Sequence, residues 1–194
     1  MRRLWIATLA ALVLGSSPAW AINTHLGWNG SDDVGFFGCP NTTNYGQVIT
    51  IKGYRHSLKD FSFWLQGQAG DGQSMVVRAE VFAWDGTKPT GKSLYESNPR
   101  TIAYADSDFH RETFSPNIAV TARAQYVMFL TIDRDFDQCT NSYVTLWGIV
   151  NDTTYAGGTF VYLNSGGDAS QWTTQSWSPF GSDLVFKASL LSGN

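Results

Sequence analysis

The chain has 194 residues, with 13 Lys and Arg against 16 Asp and Glu and a formal charge of −3. A mildly acidic sequence without a basic run lacks the electrostatic footprint of a nucleic-acid binder and is not drawn to anionic membranes. The length suits one domain with a sizeable core.

Met1, Arg2 and Arg3 precede an apolar run over 4–14, and small residues Ala19 and Ala21 follow. A positive start, a short apolar segment and small residues at a cleavage point describe a secretory signal peptide, with cutting expected after Ala21. The apolar run is about a dozen residues, short of the roughly 20 that a spanning helix needs. The expected organisation is a signal peptide over 1–21 and one domain over 22–194, secreted or periplasmic, with no membrane span once the signal is removed.

Residues 22–44 are polar and Gly-rich, reading as a short strand or loop that ends near Cys39. Residues 47–52, QVITIK, alternate and are β-branched. In 58–86, Phe61, Phe63 and Leu65 fall on one parity, with Ser62, Trp64 and Gln66 on the other. The run after it sets Met75, Val77, Ala79 and Val81 against Val76, Arg78, Glu80, Phe82 and Trp84. Period two of this quality marks half-buried antiparallel strands, and the Gly-rich Asp-Gly stretch between them predicts a hairpin. A Pro- and Gly-punctuated loop follows, with a short strand near 93–96 and an edge strand over 101–105. Residues 110–114 form another strand, and 125–132, QYVMFLTI, are apolar enough to sit centrally in a sheet. Residues 133–141 are an acidic loop. Further strands are expected over 142–150, 159–163 and 183–191, with a long Gly, Ser, Thr and Trp loop over 164–182. In 142–150, Val144, Leu146 and Val150 oppose Tyr143, Thr145, Trp147 and Ile149. Nine or ten short strands with frequent turns predict an all-β protein, a single-domain antiparallel β-sandwich of jelly-roll-like type.

The two cysteines, Cys39 and Cys139, predict one disulfide in an exported protein. In the chain-entropy model, closing a loop of about 100 residues contributes about 4.7 kcal/mol.

Read together, GQVITIKG, LKDFSFWL, AEVFAWDGTKPTGKSLYES, AQYVMFLT, YAGGTFVYLN and GSDLVFKASL resemble the single β-sandwich domain of exported bacterial proteins of the PEP-CTERM-associated type. The likeness runs over 46–191, and AWDGTKPTG and YAGGTFVYLN are its most specific pieces. The resemblance implies export and a non-catalytic extracellular domain. After Phe186 the sequence reads KASLLSGN, without the PEP motif, hydrophobic span or basic end of that sorting tail. A freely secreted or periplasmic protein is the expectation.

Tryptophan is the residue type most suggestive of a ligand. A rigid aromatic plane beside amide and hydroxyl groups suits the apolar face of a sugar ring. In SQWTTQSWSP, Trp172 and Trp177 with Gln171 and Gln175 form the first candidate ligand site; the alternative is that these rings cover the open end of the sandwich. Trp64, Trp84 and Trp147, opposite the apolar parity, form either an outer platform or a surface beneath a crossing loop. Asp183, with Asp32 and Asp33, is the candidate set for a structural calcium ion. The run Asp133, Asp135 and Asp137 offers hard oxygens but departs from the EF-hand pattern. His25, His56 and His110 are not at metal spacing, and no nucleophile elbow, P-loop or dinucleotide fingerprint occurs. Glu80 and Glu112 are the strand acids that a glycan hydrolase or lyase would need as a pair; simple charge pairing is their other reading. The sequence thus predicts a non-catalytic exported protein that binds an extracellular polysaccharide or cell-surface component. A self-associating matrix protein and a polysaccharide-cleaving enzyme are the alternatives.

Overall fold

A computed structural model describes residues 19–39, 41–53, 56–67, 74–138, 144–151 and 155–192. Most of the expected signal peptide, Cys139, Tyr143 and the Asp-Gly turn of 71–72 lie outside these residues.

Among the described residues, fifteen strands follow in chain order. They are β1 (Ala19–Asn23), β2 (Asp33–Gly38), β3 (Asn44–Thr50), β4 (His56–Gly67), β5 (Met75–Trp84), β6 (Pro89–Glu96), β7 (Arg100–Ile102) and β8 (Phe109–Phe114). The rest are β9 (Ile118–Val120), β10 (Gln125–Thr131), β11 (Val144–Val150), β12 (Phe160–Leu163), β13 (Ser178–Pro179), β14 (Asp183–Leu184) and β15 (Phe186–Ser192). Between them, the described residues hold three short 3₁₀ turns and no α-helix.

The strands form two antiparallel sheets, so the all-β sandwich expected from the alternation is what the chain adopts. The first sheet runs β1-β15-β4-β11-β14, with β2 on β11 and β8 and β9 on β4. The second runs β13-β12-β3-β10-β5-β6, with β7 on β5. The hairpin expected over 58–86 is not formed: β4 lies in the first sheet and β5 in the second. Both runs have one apolar parity, and two such faces are buried equally well by packing across a core as by pairing edge to edge. Phe61, Phe63 and Leu65 share one core with Val77, Ala79 and Val81.

Trp147 is fully buried in that core. Its ring lies 5.1 Å from Phe37, 5.5 Å from Tyr45 and 5.1 Å from Phe63. This reverses the expected sidedness of β11, in which Thr145, Trp147 and Ile149 point inward. Both parities of that strand are apolar, so alternation gives its period but not its direction.

The second sheet is buried on its outer face as well. Val48, Phe82, Val127, Phe129 and Val161 form a satellite cluster closed by Trp172 and Trp177 from the loop before β13. β10, between β3 and β5, is therefore covered on both sides, which explains its unbroken apolar text.

Candidate binding site

The loop of 164–182 is held down from one buried acid. Asp133, 4% exposed, accepts hydrogen bonds from Asn44 Nδ2 (2.9 Å), Gly167 N (3.1 Å), Trp172 Nε1 (2.6 Å) and the Ser165 hydroxyl. An ionised carboxylate accepts only, and four donors match its lone-pair sites. Trp177 Nε1 donates to Trp172 O (3.1 Å), and Arg134 lies 5.1 Å over the Trp172 ring.

This corrects the first candidate site. Trp172 and Trp177 are 2% and 4% exposed, so most of each ring is spent on Phe82, Phe129 and Val161, and the two do not form an open sugar platform with Gln171 and Gln175. Gln171 Nε2 donates to Asp168 Oδ2 (3.1 Å) within the loop, and Gln175 is exposed beyond it. The rings cover a sheet face, a variant of the covering role weighed from sequence.

The calcium set is corrected too. Asp183 is 1% exposed, and its carboxylate accepts from Gln47 Nε2 (2.8 Å) and Tyr155 N (2.9 Å). Burial is the main cause that pushes its pKa up, against the pull of those two bonds. Such an acid is matched to neutral donors and not presented to a cation. Asp32 takes Asn151 Nδ2 (2.9 Å), Asp33 is exposed, and no group of three metal-ligating side chains occurs among the described residues. In the acidic run, Asp133 faces the loop and Asp135 pairs with Arg78 at 2.9 Å, so these carboxylates diverge.

Nor do the two strand acids meet. Glu80, fully buried on the outer face of the second sheet, pairs with Arg134 at 3.2 Å. Glu112, on β8 of the first sheet, is bound by Arg100 and Tyr104.

A different place gathers aromatic rings at the surface. On the outer face of the first sheet, a groove of about 540 Å³ is lined by His25, Trp28, Trp64 and Phe109. Its polar lining comes from Ser31, Asp33, Gln66, Ser107 and Asp108. The strand period puts Trp64 and Gln66 outward on β4, opposite the core residues Phe63 and Leu65, and pairs them with Arg111 and Phe109 on β8. The other wall is the turn between β1 and β2. His25 stacks on Trp64, with centroids 4.4 Å apart and planes 25° off parallel, and Trp28 meets Phe109 edge-on at 4.7 Å.

Local bonds stiffen this wall before any ligand arrives. Thr24 Oγ1 donates to Leu184 O (2.8 Å) and accepts from Phe186 N (2.8 Å). Asn29 Oδ1 takes the amides of Ser31 and Asp32, both at 2.9 Å, and Trp28 Nε1 donates to Asp32 O (2.9 Å). Trp28 rests on β11 where Gly148 leaves room; a Cβ there would sit 3.0 Å from the indole and 2.9 Å from Val185. The Gln66 amide donates to Ser107 O, tying β4 to the loop before β8. Neither Asp33 nor Asp108 has its carboxylate engaged by another described residue. A pocket of similar volume, about 570 Å³, lies beside Asp133 and Gly167, but Asp133 and Asp168 bond within the loop and Phe136 is the one ring in its lining.

Rigid rings with a few polar groups beside them are the kind of lining that small-molecule sites have. Sequence parity placed Trp64 on an outer face. It gave no role to His25 and Trp28, because their partner Trp64 lies far along the chain and meets them only through the pairing of β15 with β1 and β4.

The fold and groove thus define a β-sandwich with an aromatic surface cleft. No known sequence family matches the chain, and no curated protein matches it. Among solved structures it is similar to the cysteine protease and lectin-like domains of Cwp84, a surface layer associated protein of Clostridium difficile. Identity is 11%, the TM-score is 0.46, and the match covers 79% of this chain. The chain spans about a third of that protein's length, 33% of it being covered.

Proposed function

We propose that this protein is an exported, non-catalytic glycan-binding domain whose site is the groove of His25, Trp28, Trp64 and Phe109. The observation that carries the reading is the placing of two unengaged carboxylates, Asp33 and Asp108, beside four convergent rings. Carboxylates accept from hydroxyl or amine hydrogens and repel acidic groups. The ligand class is therefore a neutral or amino polysaccharide rather than a uronate. Export by the N-terminal signal fits such a partner, and so does a Cys39–Cys139 disulfide. β1 spans the expected cleavage point; after cutting, Ile22 and Asn23 keep their partners Ala188 and Lys187 on β15.

The test is titration of residues 22–194 with neutral, amino and acidic polysaccharides, read by tryptophan fluorescence. At least one neutral or amino glycan is expected to saturate. Asp33→Asn with Asp108→Asn, both at exposed positions, is expected to weaken it about tenfold, as for loss of charge-assisted bonds. Binding confined to uronates, or unchanged in that variant, would remove the assignment. A folded protein that ignores the panel but assembles at high concentration would move it to the matrix-forming alternative.

A further inference from the structure

On the opposite face of the sandwich lies a smaller cavity of about 310 Å³, floored by Val48 and Val161 and walled by Trp84 and Trp177. The two indoles meet at 90° with centroids 6.2 Å apart, and Trp84 keeps part of its surface open. The floor is shallow because β3 and the chain before β12 almost touch: a Cβ on Gly158 would lie 1.8 Å from Val48 O. Its polar groups are Thr87, Gln125, Thr159 and Ser176, and no ionisable side chain lines it.

The state of those polar groups decides what can enter. The Thr87 hydroxyl already donates to Asp85 Oδ1 (2.9 Å), and that of Thr159 to Ser182 O (3.2 Å). Gln125 Nε2 donates to Thr50 Oγ1 (3.2 Å). With these hydrogens used inside the protein, the lining keeps oxygen lone pairs on Thr87 and Thr159, a second N–H on Gln125 and the Ser176 hydroxyl, a mixed and uncharged set of acceptors and donors. A carboxylate or phosphate brings only acceptors and would meet no cation. A purely apolar molecule would leave the oxygens unpaired, at a cost. A ring with an apolar face and several hydroxyls, each both donor and acceptor, satisfies the indoles and the uncharged polar groups together. The walls are set in advance, because Trp177 N donates to Thr87 O (2.9 Å) and joins the loop to the β5–β6 turn.

We infer that this cavity is a second binding site, for a single uncharged pyranose ring, so that the protein is bivalent with its sites on opposite sheet faces. The site is independent of the groove of the first sheet and stands if that reading fails.

The experiment uses ¹⁵N-labelled protein carrying Asp33→Asn and Asp108→Asn, which weakens the groove without touching the cavity, and it reads only amides around the cavity, on the opposite sheet. The probes are methyl glucoside, methyl mannoside, methyl galactoside and glucuronate, each raised to concentrations on the order of 100 mM, above the millimolar range of a one-ring site. At least one neutral glycoside is expected to shift the amides of Thr87, Thr159 and Trp177 saturably, and glucuronate is expected not to. Ser176→Trp, at an exposed position on the rim, is expected to abolish the shifts with the fold intact. Thr159→Val is expected to weaken them about 3- to 10-fold, as for loss of one accepted hydrogen bond. No saturable shift with any of the three glycosides, an equal response to glucuronate, or shifts that survive Ser176→Trp would overturn the proposal.

Discussion

Asp133 carries more of the fold than any surface acid could. Four donors from β3, the loop after β12 and Trp172 converge on its carboxylate; removing it orphans Trp172 Nε1 and Gly167 N, while Asn44 and Ser165 keep other partners. Each orphaned donor costs about 1–3 kcal/mol, so Asp133→Ala is expected to lower stability by at least ~2 kcal/mol in denaturant unfolding. Trp172→Ala opens the cluster beneath and is expected to cost about 3–5 kcal/mol, with new binding of a hydrophobic dye. A change below ~1 kcal/mol in either variant would deny the loop its anchoring role.

Glu80 and Asp183 give the protein a defined pH response. Burial is the main cause that raises both pKa values, from ordinary levels of 4.5 and 3.8; hydrogen bonds from Ser93 to Glu80 and from Gln47 to Asp183 act the other way. The folded state thus holds these protons more tightly than the unfolded state. The stability they contribute is full below the unfolded values and is lost as pH rises through the raised folded ones. Melting temperature is expected to fall as pH rises from about 4 through mildly acidic values, and Glu80→Gln to flatten that slope. A slope unchanged by Glu80→Gln would mean that other groups set it.

At the scale of elements, the strands were readable where one parity was apolar and the other polar. β4 shows it: Phe61, Phe63 and Leu65 are inside, and Trp64 is out. β11 shows the limit: both of its parities carry apolar residues, and Trp147, expected outward, points inward. The partnership of β4 and β5 was also beyond local pattern, because alternation is the same in a hairpin and in two facing sheets. The aromatic residues followed suit. Trp172 and Trp177 sit in polar text that resembles a binding loop, yet Asp133, far back in the chain, draws them onto the outer face of the second sheet. The groove was legible only in Trp64, as its other wall arrives through the register of β1 and β15. A prediction belongs here: Gly148→Val, which displaces Trp28 from β11, is expected to weaken glycan binding at least tenfold. Its comparison is Ser31→Ala on the groove rim, which leaves Trp28 seated; equal affinity in the two variants would show that the seat of Trp28 is irrelevant.

For the whole molecule, two sheets, a doubly covered second sheet and one expected crosslink act together. Cys39 is buried at 4% just after β2, and Cys139 follows the turn that carries Asp133. A disulfide between them would tie the edge of the first sheet to that turn. Reduction of residues 22–194 prepared under oxidising conditions is expected to add the mass of two hydrogens and to cost about 2–5 kcal/mol. An unchanged mass would mean that the cysteines are unpaired.

The central claim is that the first sheet presents the glycan site. Chemical-shift mapping with ¹⁵N-labelled residues 22–194, using an oligosaccharide of the best-bound neutral or amino glycan, locates it directly. The strongest perturbations at low ligand are expected on His25, Trp28, Trp64, Gln66, Ser107 and Phe109, and Trp64→Ala is expected to remove them. Perturbations centred instead on the loop of 164–182, or present undiminished in Trp64→Ala, would contradict that claim.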